Sequence, residues 1–346
     1  MMPEAKARVK IDGMLRNAGY VLQDMKEFNR TASLGVAVRE YPTKSGPVDY
    51  LLFINGSPVG VVEAKAESKA ALLSVVAEQS KRYAESGLKY LSEMPDIRFV
   101  YESTGRKTKF CDYHDVKARS RDVSSFHRPE TLLGWRNDQE TLRNRMKDFP
   151  DFNTQGFREC QVRAVRNLEK SLAENKPRAL IQMATGAGKT YTAITSVYRL
   201  LKHAKARRVL FLVDTKNLGE QAESEFLNYK PSDDGRLFSE LYNVRRLNSS
   251  FIPSDTKVCI STIQRMYSIL CGKELDEVDE ETSLNEQKIV GEQRDVGHNF
   301  SYPPEFFDFI IIDECHRSIY NVWQQVLTYF DAFLEPVFNK FLTIGV

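Results

Sequence analysis

Residues 183–190 read Met-Ala-Thr-Gly-Ala-Gly-Lys-Thr, a run of mostly small side chains that ends on a lysine and a threonine. Small side chains allow successive backbone N–H groups to wrap around phosphate oxygens. Lys189 is then placed to reach the outer phosphates of a nucleotide, and the hydroxyl of Thr190 to ligate Mg²⁺. The part of the loop that would surround the phosphates consists of Thr185, Gly186, Ala187 and Gly188. The Gly-x-x-x-x-Gly-Lys-Ser/Thr pattern is broken at its first position, by Met183.

A second acidic motif completes this site. Asp313 and Glu314 follow Phe309–Ile312, an apolar run with the composition of a buried parallel strand. Asp313 is predicted to hold the same Mg²⁺, and Glu314 to polarise the attacking water. Apolar residues 179–183 lead into the loop and a predicted helix, residues 191–202, leaves it, so the phosphates would meet a helix N-terminus. The two motifs together predict a site for ATP and Mg²⁺.

Another set of residues that could do chemistry lies near the N-terminus. Two strand patterns, one holding Asp49 and one holding Glu63 and Lys65, flank Asn55-Gly56-Ser57, which is a hairpin signal. If those three residues form the loop, Ile54 pairs with Pro58 and Asp49 lies directly opposite Glu63. A two-residue turn would shift the pairing by one position and put the two carboxylates on opposite faces.

The neighbours of these carboxylates predict a sheet that is buried on both faces. The residues expected on the face of Asp49 and Glu63 are Leu51, Phe53, Val59 and Val61, and those expected on the other are Leu52, Ile54 and Val62. Two carboxylates in such a place need a cation. Period two returns Lys65 to the face of Glu63. The arrangement predicts phosphodiester hydrolysis, with Mg²⁺ held by Asp49 and Glu63 and the nucleophile oriented by Lys65.

The helix predicted after this hairpin adds two polar residues. Leu72, Val76, Gln79 and Tyr83 form one stripe at helical spacing. Gln79 and Tyr83 either find hydrogen bonds at the edge of the core or line the site of Asp49 and Glu63. We favour the second interpretation, in which both support the nuclease residues.

Gln161 lies about twenty residues before the strand predicted at residues 179–183, in Phe157-Arg158-Glu159-Cys160-Gln161. A side-chain amide can read an adenine edge as donor and acceptor together. The alternative is the exposed face of an amphipathic helix, and the residues alone leave both open. Ser261-Thr262-Ile263-Gln264-Arg265 follows a predicted strand and could place hydroxyls and a helix N-terminus against a DNA phosphate. The histidines without ligand spacing, predicted to be surface residues, are His114, His127, His203 and His298.

Composition sets the frame for these motifs. The chain has 346 residues, which suggests about two domains, and its 49 basic and 47 acidic residues leave a net charge of only +2. Five cysteines without Cys-x-x-Cys spacing exclude a disulfide framework and a zinc site, and so predict a cytoplasmic protein. No apolar run has the length of a membrane span or the pattern of a signal peptide, so no membrane association is predicted.

The order of predicted elements suggests three parts. Residues 1–115 are predicted to form an α+β domain that carries the carboxylates, residues 116–156 a polar connector, and residues 157–346 alternating strands and helices. Such alternation predicts a parallel sheet covered on both faces. The elements predicted for the first part are helices over Lys6–Ala18 and Glu67–Ser86 and strands over Gly35–Glu40, Asp49–Ile54, Pro58–Lys65 and Ile97–Tyr101. The stretch Cys271–Pro304 is predicted to be a solvated insertion loop.

The motifs and their order resemble the restriction (R) subunit of type I restriction enzymes over most of the chain. The segments that carry the resemblance are Lys10-Ile11-Asp12, Asp49…Glu63-Ala64-Lys65, Gln79-x-x-x-Tyr83, Met183–Thr190, Leu212-Val213-Asp214, Ser261–Arg265 and Ile312–Tyr320. A nuclease of the Asp…Glu-x-Lys class precedes a superfamily 2 motor in this order. Type III restriction subunits place the nuclease after the motor and therefore fit less well.

The resemblance implies an α/β fold with an N-terminal PD-(D/E)xK-type nuclease domain followed by a RecA-like, parallel-sheet motor lobe. It also implies a subunit that joins methyltransferase and specificity subunits, hydrolyses ATP, translocates double-stranded DNA and cuts it with Mg²⁺. Asp49, Glu63 and Lys65 would be nuclease residues. The residues that the resemblance assigns to the ATPase site are Lys189, Thr190, Asp313 and Glu314, with Gln161 as the adenine reader.

Two features depart from the family pattern. Thr215 follows Val213-Asp214 where such families usually have arginine, which weakens a DNA contact there. Residues 341–346 look like the strand that leads into a Thr-Ala-Thr motif, which does not follow. The second motor lobe is therefore expected to be missing, and the chain as given is expected to hydrolyse ATP poorly and not to translocate.

Two other functions compete with an endonuclease subunit. One is a superfamily 2 helicase or remodeller whose N-terminal domain binds DNA or a partner without cleaving. The other is a scaffold that binds nucleotide without hydrolysing it, which the presence of Glu314 disfavours. The register of the Asp49 hairpin separates the first alternative from the nuclease.

Overall fold

The computed structural model describes residues 3–44, 46–72, 96–273, 296, 299–313 and 322–338. The chain divides into two compact units. The first comprises residues 1–141 with 300–305, and the second comprises residues 142–299 with 306–346. No helix within the described ranges is long and apolar enough to span a membrane.

The first unit is built on a seven-stranded sheet whose strands follow one another in chain order. The strands are β1 (Val21–Asp24), β2 (Gly35–Thr43), β3 (Gly46–Ile54), β4 (Ser57–Ala64), β5 (Phe99–Ser103), β6 (Thr108–Asp112) and β7 (Arg121–Val123). Only the β1–β2 and β4–β5 pairs are parallel. The helices are α1 (Pro3–Asn17) and α2 (Pro129–Asn137), with 3₁₀ turns at Met25–Glu27 and Glu67–Leu72.

The second unit is a six-stranded parallel sheet with helices between its strands. Its strands are β8 (Ile181–Gln182), β9 (Val209–Val213), β10 (Val244–Arg246), β11 (Val258–Thr262), β12 (Phe309–Ile312) and β13 (Phe333–Phe338), in the order β10-β11-β9-β12-β13-β8. Its helices are α3 (Leu142–Arg145), α4 (Glu159–Ala173), α5 (Lys189–Lys202), α6 (Lys216–Asn228), α7 (Phe238–Leu241), α8 (Ile263–Cys271) and α9 (Val322–Tyr329). The predicted parallel sheet is confirmed, and this architecture fits a RecA-like lobe.

The sheet of the first unit is buried on both faces, as predicted. One core combines α1 with strand residues such as Leu52 and Val62, and the other combines Leu51, Phe53 and Val61. Val59 was expected with Leu51 but lies in the core of α1 instead. The reason is a register shift in β4, described next.

The hairpin between β3 and β4 closes through two residues, not the three that were expected. Asn55 and Gly56 have φ values of +48° and +74°, so both central positions are left-handed, as a type I′ turn requires. Ile54 therefore pairs with Ser57, and the register then shifts beside Phe53 so that Leu51 pairs with Val61. The extra residue of this bulge turns Val59 to the opposite face.

Other predictions need correction. The polar connector, residues 116–156, is instead divided between the units, since β7 and α2 belong to the first and α3 to the second. His127, expected at the surface, is fully buried, and its Nδ1 lies 2.7 Å from the hydroxyl of Tyr101. The end of the predicted insertion loop Cys271–Pro304 is not solvated, because residues 302–304 are buried; residues 274–295, 297 and 298 of this loop lie outside the described residues. The predicted helix Glu67–Ser86 begins as the 3₁₀ turn, and residues 73–95 lie outside the described residues.

Replacement of Gly60 by alanine is expected to destabilise the first unit by about 1–3 kcal/mol. An added Cβ would lie 2.5 Å from the carbonyl oxygen of Phe99, where β4 and β5 approach closely. Gly134→Ala is the matched control, because nothing lies within 4 Å of an added Cβ there. Alanine should slightly increase the stability of helix α2. Urea unfolding followed by tryptophan fluorescence measures both. Equal stability of the two variants would contradict the close approach.

Glu335 on β13 is expected to make the second unit less stable as the pH rises. The side chain is 1% exposed, and burial raises its pKa to about 8 from the ordinary 4.5. Between these values the folded chain keeps a proton that the unfolded chain releases, so stability falls through this window and the loss is complete above it. Glu335→Gln should reduce the fall in the free energy of unfolding across this pH window by a few kcal/mol. Glu159→Gln, at an exposed site, should leave the fall unchanged. Denaturation at about pH 5.5 and about pH 8.5 tests this, and an unchanged slope in Glu335→Gln would refute it.

Candidate functional site

The predicted phosphate loop connects β8 directly to α5. Met183 is buried beneath the loop, and residues 184–186 are exposed. Gly188 precedes the first residue of α5 with a φ of +81°, and a Cβ there would collide with the side-chain amide of Gln161. Glycine is therefore favoured at this position by its backbone conformation, and a side chain here would displace the Gln161 amide. Backbone N–H groups at the start of α5 are thus available to an anion.

The structure brings the two predicted halves of the nucleotide site together. The Thr190 hydroxyl donates a hydrogen bond to Asp313 Oδ2 at 3.3 Å, and Asp313 follows the central strand β12. A hydroxyl and a carboxylate are the oxygen ligands that Mg²⁺ prefers. The residues present therefore fit a magnesium ion. Glu314, the predicted water-polarising residue, lies outside the described residues.

Gln161 lies against the phosphate loop, and both ends of its amide are engaged within the chain. Its Oε1 accepts the Arg158 N–H at 2.9 Å, and its Nε2 donates to Ala187 O at 3.1 Å. Arg158 itself donates from Nη1 to Gly186 O at 2.7 Å. The start of α4 therefore braces the loop. Sequence reasoning missed Arg158, because only its position next to the loop reveals the contact.

An aromatic cluster borders the same loop and was also missed. Tyr191, in the first turn of α5, lies 5.2 Å from both Phe157 and Tyr229, measured between ring centroids. Tyr191 keeps 38% of its surface exposed. Aromatic residues without a spacing rule carry no signal in sequence, so only the fold places these rings beside the phosphate site.

The residues predicted to contact DNA phosphates have local structural roles in this structure. Thr262 caps α8, because its Oγ1 accepts the Arg265 N–H at 3.2 Å. Thr215, which stands where arginine was expected, caps α6 in the same way. Asp214 and Ser261 are buried at strand ends. A DNA contact by these side chains remains a prediction.

Asp49 lies where β3 departs from regular pairing. In the ladder to β2, Arg39 pairs with Tyr50 and Tyr41 with Val48, and the pair between them is skipped. Glu40, at the skipped position of β2, has a φ of +49°. The ladder to β4 ends with Tyr50 beside Val62. Ala64 has the next backbone N–H of β4 that points toward β3, and it donates to Asp49 Oδ2 at 2.8 Å. The carboxylate of Asp49 therefore reaches the end of β4, next to Glu63. A meeting of the Asp49 and Glu63 side chains stays a prediction, because the ladder ends before both residues and the described link is the hydrogen bond from Ala64 to Asp49.

Two cations accompany these carboxylates. Lys65 Nζ lies 3.2 Å from Glu63 Oε2, and the Arg8 guanidinium of α1 pairs with Asp49 Oδ1. Arg8 also contacts Glu40 at 2.7 Å, and these two acidic partners raise its pKa against the effect of burial. The like-charge repulsion that predicts a bound cation is thus partly offset within the chain. Sequence reasoning missed Arg8, which lies 41 residues before Asp49.

Two further polar residues were predicted to support the site of Asp49 and Glu63. Gln79 and Tyr83 lie outside the described residues. Among the residues that the structure describes, no three His, Cys, Asp or Glu side chains are grouped to hold a metal ion. A magnesium ion held by Asp49 and Glu63 stays a prediction.

Comparison with known proteins gives matches in both units. The family model described as the res subunit of type III restriction enzymes matches residues 155–336. The model described as the second domain of the type I restriction enzyme EcoKI endonuclease subunit matches residues 26–114. The first match covers most of the second unit, and the second covers strands β2 to β6 of the first.

Individual relatives are longer than this chain. It is 28% identical to the type I restriction enzyme EcoKI endonuclease subunit of Escherichia coli (strain K12), over 92% of this chain and 29% of that protein. It is 27% identical to the EcoAI endonuclease subunit of Escherichia coli, over 80% of this chain and 30% of that protein. A fragment described as an HsdR subunit from Vibrio vulnificus YJ016 is 21% identical, with a TM-score of 0.36, over 99% of this chain and 56% of that one. The chain spans under a third of the curated relatives it matches.

Substitutions of Gln161 can separate its bracing contacts from adenine reading. Gln161→Ala removes the acceptor for Arg158 and the donor to Ala187, and we expect about tenfold weaker ATP binding from the loss of about two hydrogen bonds. If bracing dominates, affinity for inorganic tripolyphosphate falls by the same factor. If adenine reading dominates, tripolyphosphate binding is unchanged. Gln182→Ala, on the exposed side of β8, is the control, and calorimetric titration of both ligands decides the outcome.

Proposed function

The chain belongs to the family of restriction-enzyme Res subunits, and on that premise we propose that it is part of the ATP-driven, DNA-cleaving R subunit of a type I restriction enzyme. The observation that carries the proposal is the contact between Thr190 and Asp313 in one unit, combined with the Asp49–Glu63–Lys65 set in the other. The type I relationship is supported by the N-terminal match at residues 26–114, since the motor match alone bears a type III description.

We assign ATP to the loop of residues 183–190. Lys189 contacts the outer phosphates, and backbone N–H groups at the start of α5 hold the remaining oxygens. Thr190 and Asp313 hold Mg²⁺, which when bound offsets the charge on the phosphates. Glu314 orients the attacking water, and Gln161 holds the loop in place beside the adenine. The proposal includes double-stranded DNA as the track along which hydrolysis drives the full-length protein.

We assign DNA cleavage to the first unit. Asp49 and Glu63 hold Mg²⁺, which when bound makes water a stronger nucleophile, and Lys65 holds that water in line with the phosphate. Gln79 and Tyr83 support the site. Arg8 pairs with Asp49 Oδ1, so Asp49 would have to exchange this partner for the cation. Methyltransferase and specificity subunits are the proposed partners, in the cytoplasm.

A second candidate function has one observation in its favour. The carboxylate of Asp49 is already engaged, by Arg8 on one oxygen and the Ala64 N–H on the other. A first unit that keeps this arrangement would bind DNA or a partner without cutting, as in a superfamily 2 remodeller. The two functions differ in what happens to DNA when ATP is consumed.

Substitution of Asp49 by asparagine is expected to separate the two activities of the full-length protein assembled with its partner subunits. Asparagine keeps an acceptor for the Ala64 N–H but removes the charge, so cleavage of unmethylated plasmid should fall on the order of a hundredfold or more. DNA-stimulated ATP hydrolysis should be unchanged. Lys189→Ala should abolish both, because cleavage follows translocation.

Glu40→Gln is the matched control for Asp49→Asn, because Glu40 is the other carboxylate that contacts Arg8. It should leave cleavage and ATP hydrolysis near wild-type values. Wild-type protein that consumes ATP on DNA and never cuts it would establish the remodeller instead.

A further inference from the structure

A row of charged residues crosses the sheet of the first unit beside the proposed nuclease residues. Glu63 on β4 is the lateral neighbour of Glu102 on β5, Glu102 of Lys109 on β6, and Lys109 of Asp122 on β7. Lateral neighbours in a sheet point to the same face, so these four side chains lie on one side. Glu102 therefore stands beside Glu63 as a further carboxylate that the Asp…Glu-x-Lys pattern does not contain.

Glu102 differs from its neighbours in having no ion-pair partner. Lys65 lies 3.2 Å from Glu63, and Lys109 lies 3.4 Å from Asp122. Within the described ranges, no cationic nitrogen lies within 4.0 Å of Glu102, and its Oε2 has no hydrogen-bond partner. The residue is 4% exposed. A buried carboxylate oxygen without a donor is unfavourable, so its retention calls for a group that reaches it in another state of the site.

Lys65 is the group best placed to do so. Its N–H donates to Ser103 O at 2.8 Å, so the chain continues beside β5 after Glu63, and Lys65 lies diagonally across from Glu102. A lysine side chain spans such a diagonal. Burial raises the pKa of Glu102, and among its charged neighbours Lys65 acts most strongly, in the lowering direction, ahead of Glu63. The ammonium thus already lies within the electrostatic reach of Glu102.

We propose that Glu102 is a positioning residue that receives the Lys65 ammonium when Glu63 turns to its cation. The inference rests on the proposed nuclease function and names a new residue in it. Where Mg²⁺ takes Oε2 of Glu63, it competes with the Lys65 ammonium for that oxygen, and Lys65 can then move. Oε2 of Glu102 accepts it on the same face, and the ammonium remains aimed at the reacting phosphate.

The inference predicts non-additive effects on cleavage. Glu102→Gln should lower the cleavage rate of the full-length protein with its partner subunits by about tenfold to a hundredfold, because a misplaced reacting group loses rate on this scale. In a Lys65→Ala background the same change should have no further effect, since residues that act through one another are not additive. DNA-stimulated ATP hydrolysis should be unchanged in all variants. Asp122→Asn, an exposed acidic residue in the same row, is the control and should cut like wild type.

A measurement independent of cleavage tests the movement of Lys65. The full-length protein is treated with an amine-acylating reagent at constant pH, with and without Mg²⁺, and labelling of Lys65 is quantified by mass spectrometry. In the wild type, Mg²⁺ should leave labelling nearly unchanged, because Glu102 receives the ammonium. In Glu102→Gln, Mg²⁺ should raise labelling several-fold. Equal responses in the two proteins would overturn the proposal.

The outcomes distinguish failure of this inference from failure of the nuclease. If Asp49→Asn stops cleavage and Glu102→Gln cuts like wild type, Glu102 has no role and the nuclease assignment stands. If Asp49→Asn cuts like wild type, the nuclease assignment falls, and this inference with it. Glu102→Gln could instead lower the cleavage rate by the same factor in the wild-type and Lys65→Ala backgrounds. The residue then acts on stability alone, which a lowered thermal midpoint would reveal.

Discussion

The pairing of β3 with β4 follows one register at the turn and another beyond Phe53, and the bulge beside Phe53 joins the two registers. The left-handed pair Asn55 and Gly56 makes the turn as short as a hairpin permits, which pairs Ile54 with Ser57. Carried unchanged to the strand ends, that register would place Asp49 and Glu63 on opposite faces. One extra residue in β4 changes that register before Leu51, so that Leu51 pairs with Val61 and Tyr50 with Val62. The carboxylate of Asp49 can then take the Ala64 N–H, and β4 presents Glu63 and Lys65 beside β5. The turn and the bulge of this hairpin therefore determine which backbone N–H group of β4 the Asp49 carboxylate reaches.

The nucleotide site depends on a comparable fit between a loop and the helix before it. Gln161 and Arg158 bind carbonyl groups of residues 186 and 187, and the absence of a side chain at Gly188 leaves room for the amide. The loop is thereby held before any nucleotide arrives, and less ordering remains to be done on binding. In the nucleotide site, polar groups from outside the motif thus fix the backbone of the motif.

Sequence reasoning predicted β9, β11 and β12 of the second unit, since β9 and β12 are continuous apolar runs and β11 begins as one. It missed β13, where Glu335 and Pro336 interrupt the apolar residues. It missed β10, which reads Val-Arg-Arg at the sheet edge, and β7, which reads Arg-Asp-Val, because short edge strands lack a hydrophobic pattern. The bulge escaped it for a different reason. A hairpin signal identifies a turn but not an irregularity several residues away, and the face of Val59 depends on both.

The sites show the same division between local and distant information. The phosphate loop and Asp313 could be identified from the sequence because each is a contiguous motif, and the structure joins them. Arg8, Arg158 and Glu102 could not, because each meets its site through strand or helix neighbours that are far apart in the chain. Register and packing, not residue type, place these three.

The contact between Thr190 and Asp313 also bears on how proteins of this kind can diverge. The two residues are 123 positions apart, yet their meeting depends on where β8 and β12 end in one sheet and not on the path of the chain between them. Lengthening a connection at the sheet periphery is thermodynamically mild, about 0.6 kcal/mol for each doubling of a loop. Connections that run outside the sheet can therefore change in length at little cost in free energy. The spacing between the two motifs is accordingly a poor measure of kinship, and the strands on which they end are a better one.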